Sequence, residues 1–311
     1  MKTIRLTGKV LAVLCMILYG ENISAQEFGT HWISSPNPDN RSEVWFRKTF
    51  ITRHRPQDAK ITIATTGRFQ LFVNERNVSH EVLLPDAFNR DSCIHEMTFV
   101  VSNILRTDSN TIAVWYAPDP HLHTDKQLSL FYYGTSPTGQ PFCYKADEDW
   151  LCKRACGFVS DSLEQLDNNS YDPSWKACTI DTQGWTPPQS STDSHLYTIL
   201  DDTYNRQGGQ ITKILYPKET FSDNYSITYR FPRRFTGWVR LTIRNATPGE
   251  TIRMNGFSYI CNGIMDEQAC RRFTMDTQQD LVIEGDRYFR KSQIQNIEGL
   301  VICPVTGWDF E

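Results

Sequence analysis

A chain of 311 residues with 36 acidic against 32 basic side chains carries a net charge of −4. That balance argues against nucleic acid as a partner, which would call for a basic surface. Beyond the N-terminus no stretch approaches the eighteen apolar residues of a membrane helix, and Cys, at nine residues, is frequent enough to ask about disulfides.

The first segment reads as an export signal. Lys2, Arg5 and Lys9 form a basic flank, residues 10–19 are apolar, and Ile23-Ser24-Ala25 offers small residues before a cut. Ten apolar residues are too few to span a bilayer. Cleavage after residue 25 removes three basic groups and one acid, which leaves a mature charge of −6. The expected location is periplasmic or secreted. Eight cysteines then remain in an oxidising compartment. Cys261 and Cys270 flank the turn signal Asn262-Gly263, so a disulfide across that loop is the first pairing to expect.

From there the chain reads as strands. Residues 44–50, 60–65, 111–116, 128–133 and 225–231 are strand-like runs. Phe69, Leu71 and Val73 alternate with Gln70, Phe72 and Asn74, as do Val239, Leu241 and Ile243 with Arg240, Thr242 and Arg244. Turn residues separate the runs, for example Asn37-Pro38-Asp39-Asn40 and Ala246-Thr247-Pro248-Gly249. Helix signals are confined to residues 101–106 and 160–166, a turn or two each. The polar, irregular stretch 182–210 is the natural boundary. The expectation is an all-β protein made of two antiparallel β-sandwich, jelly-roll-like domains in tandem, spanning residues 27–205 and 206–311.

Several strings carry possible chemistry. Asp119-Pro120-His121-Leu122-His123-Thr124-Asp125 has the alternation of a metal site, although a solvated loop gives the same composition. Asp167-Asn168-Asn169 with Asp172, and Asp86 with Asn89 and Asp91, are oxygen-rich clusters that calcium could use, or plain Asx turns. Sugar recognition needs flat aromatic faces with polar groups nearby. Trp115 and Tyr116, at the end of a strand run, and Trp150, Tyr171 and Trp175 are the aromatic candidates, with Asp172 to orient a hydroxyl. No Gly-x-Ser-x-Gly elbow is present.

Two groups of residues share an order with a known family. The second group is Phe235-Thr236-Gly237-Trp238-Val239-Arg240-Leu241-Thr242-Ile243-Arg244, Pro248-Gly249-Glu250, Thr251-Ile252-Arg253-Met254, Met265-Asp266-Glu267, Arg271-Arg272 with Asp276, and Leu281-Val282-Ile283-Glu284-Gly285. It resembles the β-sandwich that precedes the helical catalytic barrel of bacterial α-L-rhamnosidases. The first group is Trp45-Phe46-Arg47-Lys48-Thr49-Phe50, Gly67-Arg68-Phe69-Gln70-Leu71-Phe72-Val73-Asn74, Leu84-Pro85, Asn110-Thr111-Ile112-Ala113-Val114, Asp149-Trp150 and Tyr171-Asp172. It is similar to that family's N-terminal jelly-roll module, and departs from it where Asn74-Glu75 replaces Asn-Gly and Pro173-Ser174 replaces Ala-Arg.

The resemblance implies a module that holds rhamnose with acidic and amide groups, in some relatives through calcium, which adds to the oxygen-rich cluster Asp167, Asn168 and Asp172 as a candidate calcium site. The family's catalytic acid lies in an Arg-Asp-Glu segment of the barrel, which has no match before Glu311. The chain is therefore expected to bind a glycan, rhamnose-containing by this resemblance, without cleaving it. The alternatives are the non-catalytic half of a split α-L-rhamnosidase, working with a separate catalytic barrel chain, and a surface interaction scaffold.

Overall fold

The structure is a computed structural model and describes residues 31–36, 39–88, 94–119, 125–160, 163–191, 198–200, 208–223 and 226–305. The export signal, the 205–206 boundary, His121 and His123, and Asn89 and Asp91 lie outside the described residues.

The described strands are, in the first part of the chain, β1 (Trp32–Ser34), β2 (Ser42–Ile51), β3 (Gln57–Thr65), β4 (Gly67–Val73), β5 (Arg76–Asn77), β6 (Ile94–Val100), β7 (Ser109–Pro118), β8 (Gln127–Thr135), β9 (Pro141–Lys145), β10 (Leu151–Val159), β11 (Glu164–Asp167), β12 (Gln189–Ser191) and β13 (Thr198–Leu200). There follow β14 (Gly209–Leu215), β15 (Glu219–Ser222), β16 (Ser226–Arg244), β17 (Thr251–Met254), β18 (Phe257–Ile260), β19 (Asp266–Cys270), β20 (Asp276–Gly285) and β21 (Ile294–Pro304). Among the described residues only short 3-10 turns interrupt them, so the fold is all-β.

Two sheets form. The smaller runs β12-β1-β8-β3-β6-β13, with β9 beside β8. The larger runs β14-β21-β16-β20-β17-β18-β11-β10-β2-β7-β4-β5, with β15 and β19 also on β16. It is one continuous sheet, because β11 of the first part pairs with β18 of the second in parallel, Glu164 opposite Phe257 and Asp167 opposite Ile260.

The alternation in the sequence is physical. Val239, Leu241 and Ile243 point into a core, while Arg240 and Arg244 face outward and bind Glu298 at 2.6 Å and Asp266 at 2.7 Å. Strand β7 instead is buried along almost its whole length. One face, with Ile112, Val114 and Tyr116, packs in the sandwich interior against Ile61, Ile63 and Leu130 of the smaller sheet. The other, with Ala113, Trp115 and Ala117, joins a second core shared with Leu241, Ile252, Phe257, Tyr259 and Ile283. A strand covered on both faces reads as an uninterrupted apolar run, which is what residues 111–116 show.

Residues 160–166, expected to be helical, contribute β11 instead. Glu164 and Leu166 are buried and Gln165 and Asp167 are half-buried, a period of two that bridges β10 and β18. Residues 101–106 keep a single 3-10 turn at Ser102–Ile104.

The two parts are fastened by buried polar groups. The Glu164 carboxylate accepts from the backbone of Arg272 at 2.6 Å, Phe273 at 3.3 Å and Thr274 at 2.7 Å, and from the Thr274 hydroxyl at 2.6 Å. The Arg272 guanidinium sits over the Trp115 ring, 4.7 Å from its centre. The Trp115 indole N–H in turn donates to Glu43 at 2.7 Å. Gly157 makes room for that carboxylate: a Cβ there would lie 2.3 Å from Glu43 Oε2.

Candidate functional site

The aromatic candidates do not form a sugar platform. Trp115, Tyr116, Trp150 and Trp175 are at most 1% exposed. Trp175 stacks on Trp45 at 5.4 Å, with Phe72 and Trp115 edge-on to it. The Tyr116 hydroxyl is bonded to Thr66 at 3.0 Å inside the sandwich, and Trp150 packs in that same interior. Tyr171 is half-buried because it lies flat against Trp115. These rings fill the two cores, where burial of their large apolar area stabilises the fold.

The residues expected for calcium make local hydrogen bonds. Asp167 accepts from the backbone of Asn169 and Ser170 and from the Ser170 hydroxyl at 2.6 Å. Asp172 accepts from the backbone and hydroxyl of Ser174 at 2.9 and 2.6 Å, and these bonds hold its carboxyl below the usual range. Asn168 donates to Glu267. Both aspartates cap 3-10 turns, an Asx-turn arrangement that accounts for this composition locally. Among the described residues no three His, Cys, Asp or Glu side chains are gathered as metal ligands.

Cys261 and Cys270 are free thiols, not a disulfide. Cys261 follows β18, which pairs with β17 and β11, while Cys270 ends β19, which pairs with β16. The Asn262-Gly263 loop therefore does not close a hairpin between them. Cys261 sits in the shared core, and Cys270 packs beside Trp238 and Leu300. Burial pushes the Cys270 thiol up to about 12 and raises that of Cys261 as well. Thiolate is the reactive form. Iodoacetamide at pH 8 should thus label exposed Cys143 well before either of them, as read by peptide mass spectrometry of the native protein. A linked Cys261–Cys270 peptide in a non-reducing digest would contradict the structure.

The concave polar surface lies elsewhere, on the outer face of the larger sheet where its two parts meet. Inward-facing Leu166, Ile252, Tyr259 and Ile283 hold β11, β17, β18 and β20 to the core. Their neighbours must then point outward. In register across these four strands stand Gln165 opposite Ser258, Ser258 opposite Arg253, and Arg253 opposite Glu284. All four line a cleft of about 650 Å³. At roughly 4.8 Å per strand the row is about 14 Å long. Arg253 and Glu284 are cross-strand neighbours of opposite charge, yet among the described residues neither is in an ion pair.

The Asn255-Gly256 turn between β17 and β18 bounds the row and separates it from a second cleft of about 550 Å³, lined by Arg271, Thr274, Asp276, Gln278 and Asp280. The Asn255 amide donates to Gln278 Oε1 and the Asp280 carbonyl, both at 2.7 Å, and accepts from the Val282 N–H at 3.0 Å. Its own carbonyl accepts from the Arg271 guanidinium. With φ at +27° it holds a turn conformation that Asn tolerates. The wall between the clefts is therefore fixed.

Chemically the surface offers amide, hydroxyl, guanidinium and carboxylate groups, and its aromatic lining residue Phe257 is buried. Asp276 and Asp280 lie four residues apart on one strand, about 13 Å along it. That exceeds the roughly 5–9.5 Å that separates the two carboxyls of glycoside hydrolysis. Asp280 is also paired with Arg230 at 2.8 Å. The clefts are equipped to hold hydroxyl groups by hydrogen bonds. No motif marks the row in the sequence; the Asn-Gly turn at 255–256 is a local signal near it.

No family model matches the sequence, and no curated protein matches it. Its fold does match solved structures. An α-L-rhamnosidase from Dictyoglumus thermophilum superposes with a TM-score of 0.78 at 20% identity, over 90% of this chain and 36% of that one. The enzyme from Aspergillus terreus gives 0.76 at 14% identity, over 88% and 36%. The Streptomyces avermitilis enzyme, solved with L-rhamnose, gives 0.74 at 16% identity, over 86% and 29%. This chain thus has a rhamnosidase-like β-sandwich fold, and it spans about a third of the length of those enzymes. Among the described residues no helix is long and apolar enough to cross a membrane.

Proposed function

We propose that this protein is an exported, non-catalytic carbohydrate-binding protein whose ligand contains rhamnose. The observation that carries the reading is the row Gln165, Ser258, Arg253 and Glu284. It is a line of polar groups with unpaired charges in a cleft, on a fold shared with part of the α-L-rhamnosidases. The residues would act by orientation alone. Gln165 and Ser258 can donate to and accept from a hydroxyl, Arg253 donates, and Glu284 accepts. Export rests on the basic flank and apolar segment of residues 1–25.

Little apolar area is available for burial, so affinity should be modest, with a dissociation constant on the order of 0.1–1 mM. The binding enthalpy should be favourable and the heat-capacity change small. Calorimetric titration with rhamno-oligosaccharides tests this. Arg253→Ala removes charge-assisted hydrogen bonds of about 1.5–3 kcal/mol and should weaken binding roughly tenfold or more. Flat titrations across rhamnose-containing oligosaccharides, with the protein folded, would remove the reading.

A further inference from the structure

Resting on that reading of the cleft, we infer that it takes an internal segment of a linear, uncharged oligosaccharide laid across the strands, with both parts of the chain gripping it. The geometry is that of a track. A pocket for a single sugar or a chain end gathers its polar groups around one ring. Here each of four adjacent strands supplies one polar side chain, Gln165 from β11, Ser258 from β18, Arg253 from β17 and Glu284 from β20. At about 4.8 Å per strand the groups extend over about 14 Å, longer than one pyranose ring.

The long sides of the track are different in kind. Leu163, Asn255-Gly256 and Val282 border it on one side, and Thr251 and Ile260 on the other. The Asn255 wall is immobilised by its four hydrogen bonds and sets the direction in which a chain can lie. The row itself carries one positive and one negative group, so it sums to zero, and its donors and acceptors suit hydroxyls better than carboxylates or sulfates. The aromatic lining residue is buried, so no ring can be held by stacking alone. Each further sugar unit must therefore add its own hydrogen bonds until the row is filled.

The row also crosses the seam between the two parts of the chain. Gln165 comes from the first part and the other three groups from the second. A ligand seated on all four bridges the β11–β18 pair.

The test is a calorimetric length series on the full chain, using rhamnose and rhamno-oligosaccharides of two to six units. Affinity is expected to rise at least tenfold between one and four units and then to level off. Methylating the non-reducing end of the four-unit ligand should change its affinity less than twofold. Gln165→Ala should weaken the four-unit ligand several-fold, with an unchanged circular dichroism spectrum. Equal affinity for one and four units, or loss of binding on end methylation, overturns the track. An unaffected Gln165→Ala overturns the two-part grip. Absence of binding at every length overturns the carbohydrate-binding reading itself, a result distinct from the other three.

Discussion

Glu164→Ala is expected to lower stability by about 4–6 kcal/mol, the largest single effect predicted for this molecule. The side chain is 1% exposed and accepts hydrogen bonds from three consecutive backbone N–H groups and one hydroxyl in residues 272–274. Hydrogen bonds to a charged group contribute about 1.5–3 kcal/mol, and each buried donor left without a partner costs about 1–3 kcal/mol. Alanine would strand the donors and leave a cavity between β11 and the 272–274 segment. Thermal unfolding by scanning calorimetry should begin about 10 °C lower. Glu164→Gln keeps one acceptor oxygen but turns an amide N–H₂ toward donors, so it should fall between the two. Should both variants unfold with the wild-type protein, the carboxylate is not the fastener.

The second large effect depends on pH. Glu43 is 1% exposed, and its carboxyl is held well above the usual range, first by burial and then by the nearby Glu164. Trp115 and Arg272 pull the other way and do not offset this. A folded-state value raised above the unfolded one means that the native protein keeps a proton the unfolded chain releases. The stabilisation is then complete below the ordinary carboxyl value, near 4.5, and is lost as pH rises toward the folded value. Within that window the slope is up to about 1.4 kcal/mol per pH unit. Glu43→Gln is neutral and can still accept from the Trp115 indole. It should flatten the slope and raise stability above the wild type increasingly as pH rises above about 5, as measured by urea unfolding. Parallel curves for the two proteins would show that Glu43 is ionised in the native state.

Much of the fold was legible and little of the site. Residues 239, 241 and 243 alternate with arginines, and the strand follows directly from that pattern. The same rule misplaced Trp115. Its strand is covered on both faces, and no local pattern reveals that a distant part of the chain will cover the second one. Trp175 and Tyr171 follow from this, because they pack on that face. Residues 160–166 were misread because β11 is only four residues long and draws its partners from β10 and β18. The Asp167 and Asp172 clusters have the composition of an ion site, but short Asx caps satisfy the same oxygens locally. The row at 165, 253, 258 and 284 could not be seen beforehand. Its members are single polar residues on separate strands, and only the register brings them into line.

The parallel pairing of β11 with β18 has a kinetic consequence. Parallel neighbours cannot be joined by a tight turn, and here the 89 residues from Asn168 to Gly256 separate the two strands in sequence. Such long-range closure is slow, and on the ribosome the earlier half is made first. Until the later half arrives, the Trp115 ring lacks the cover that Arg272 and Phe273 give it. Refolding of the whole chain is therefore expected to be limited by the closing of this one pairing.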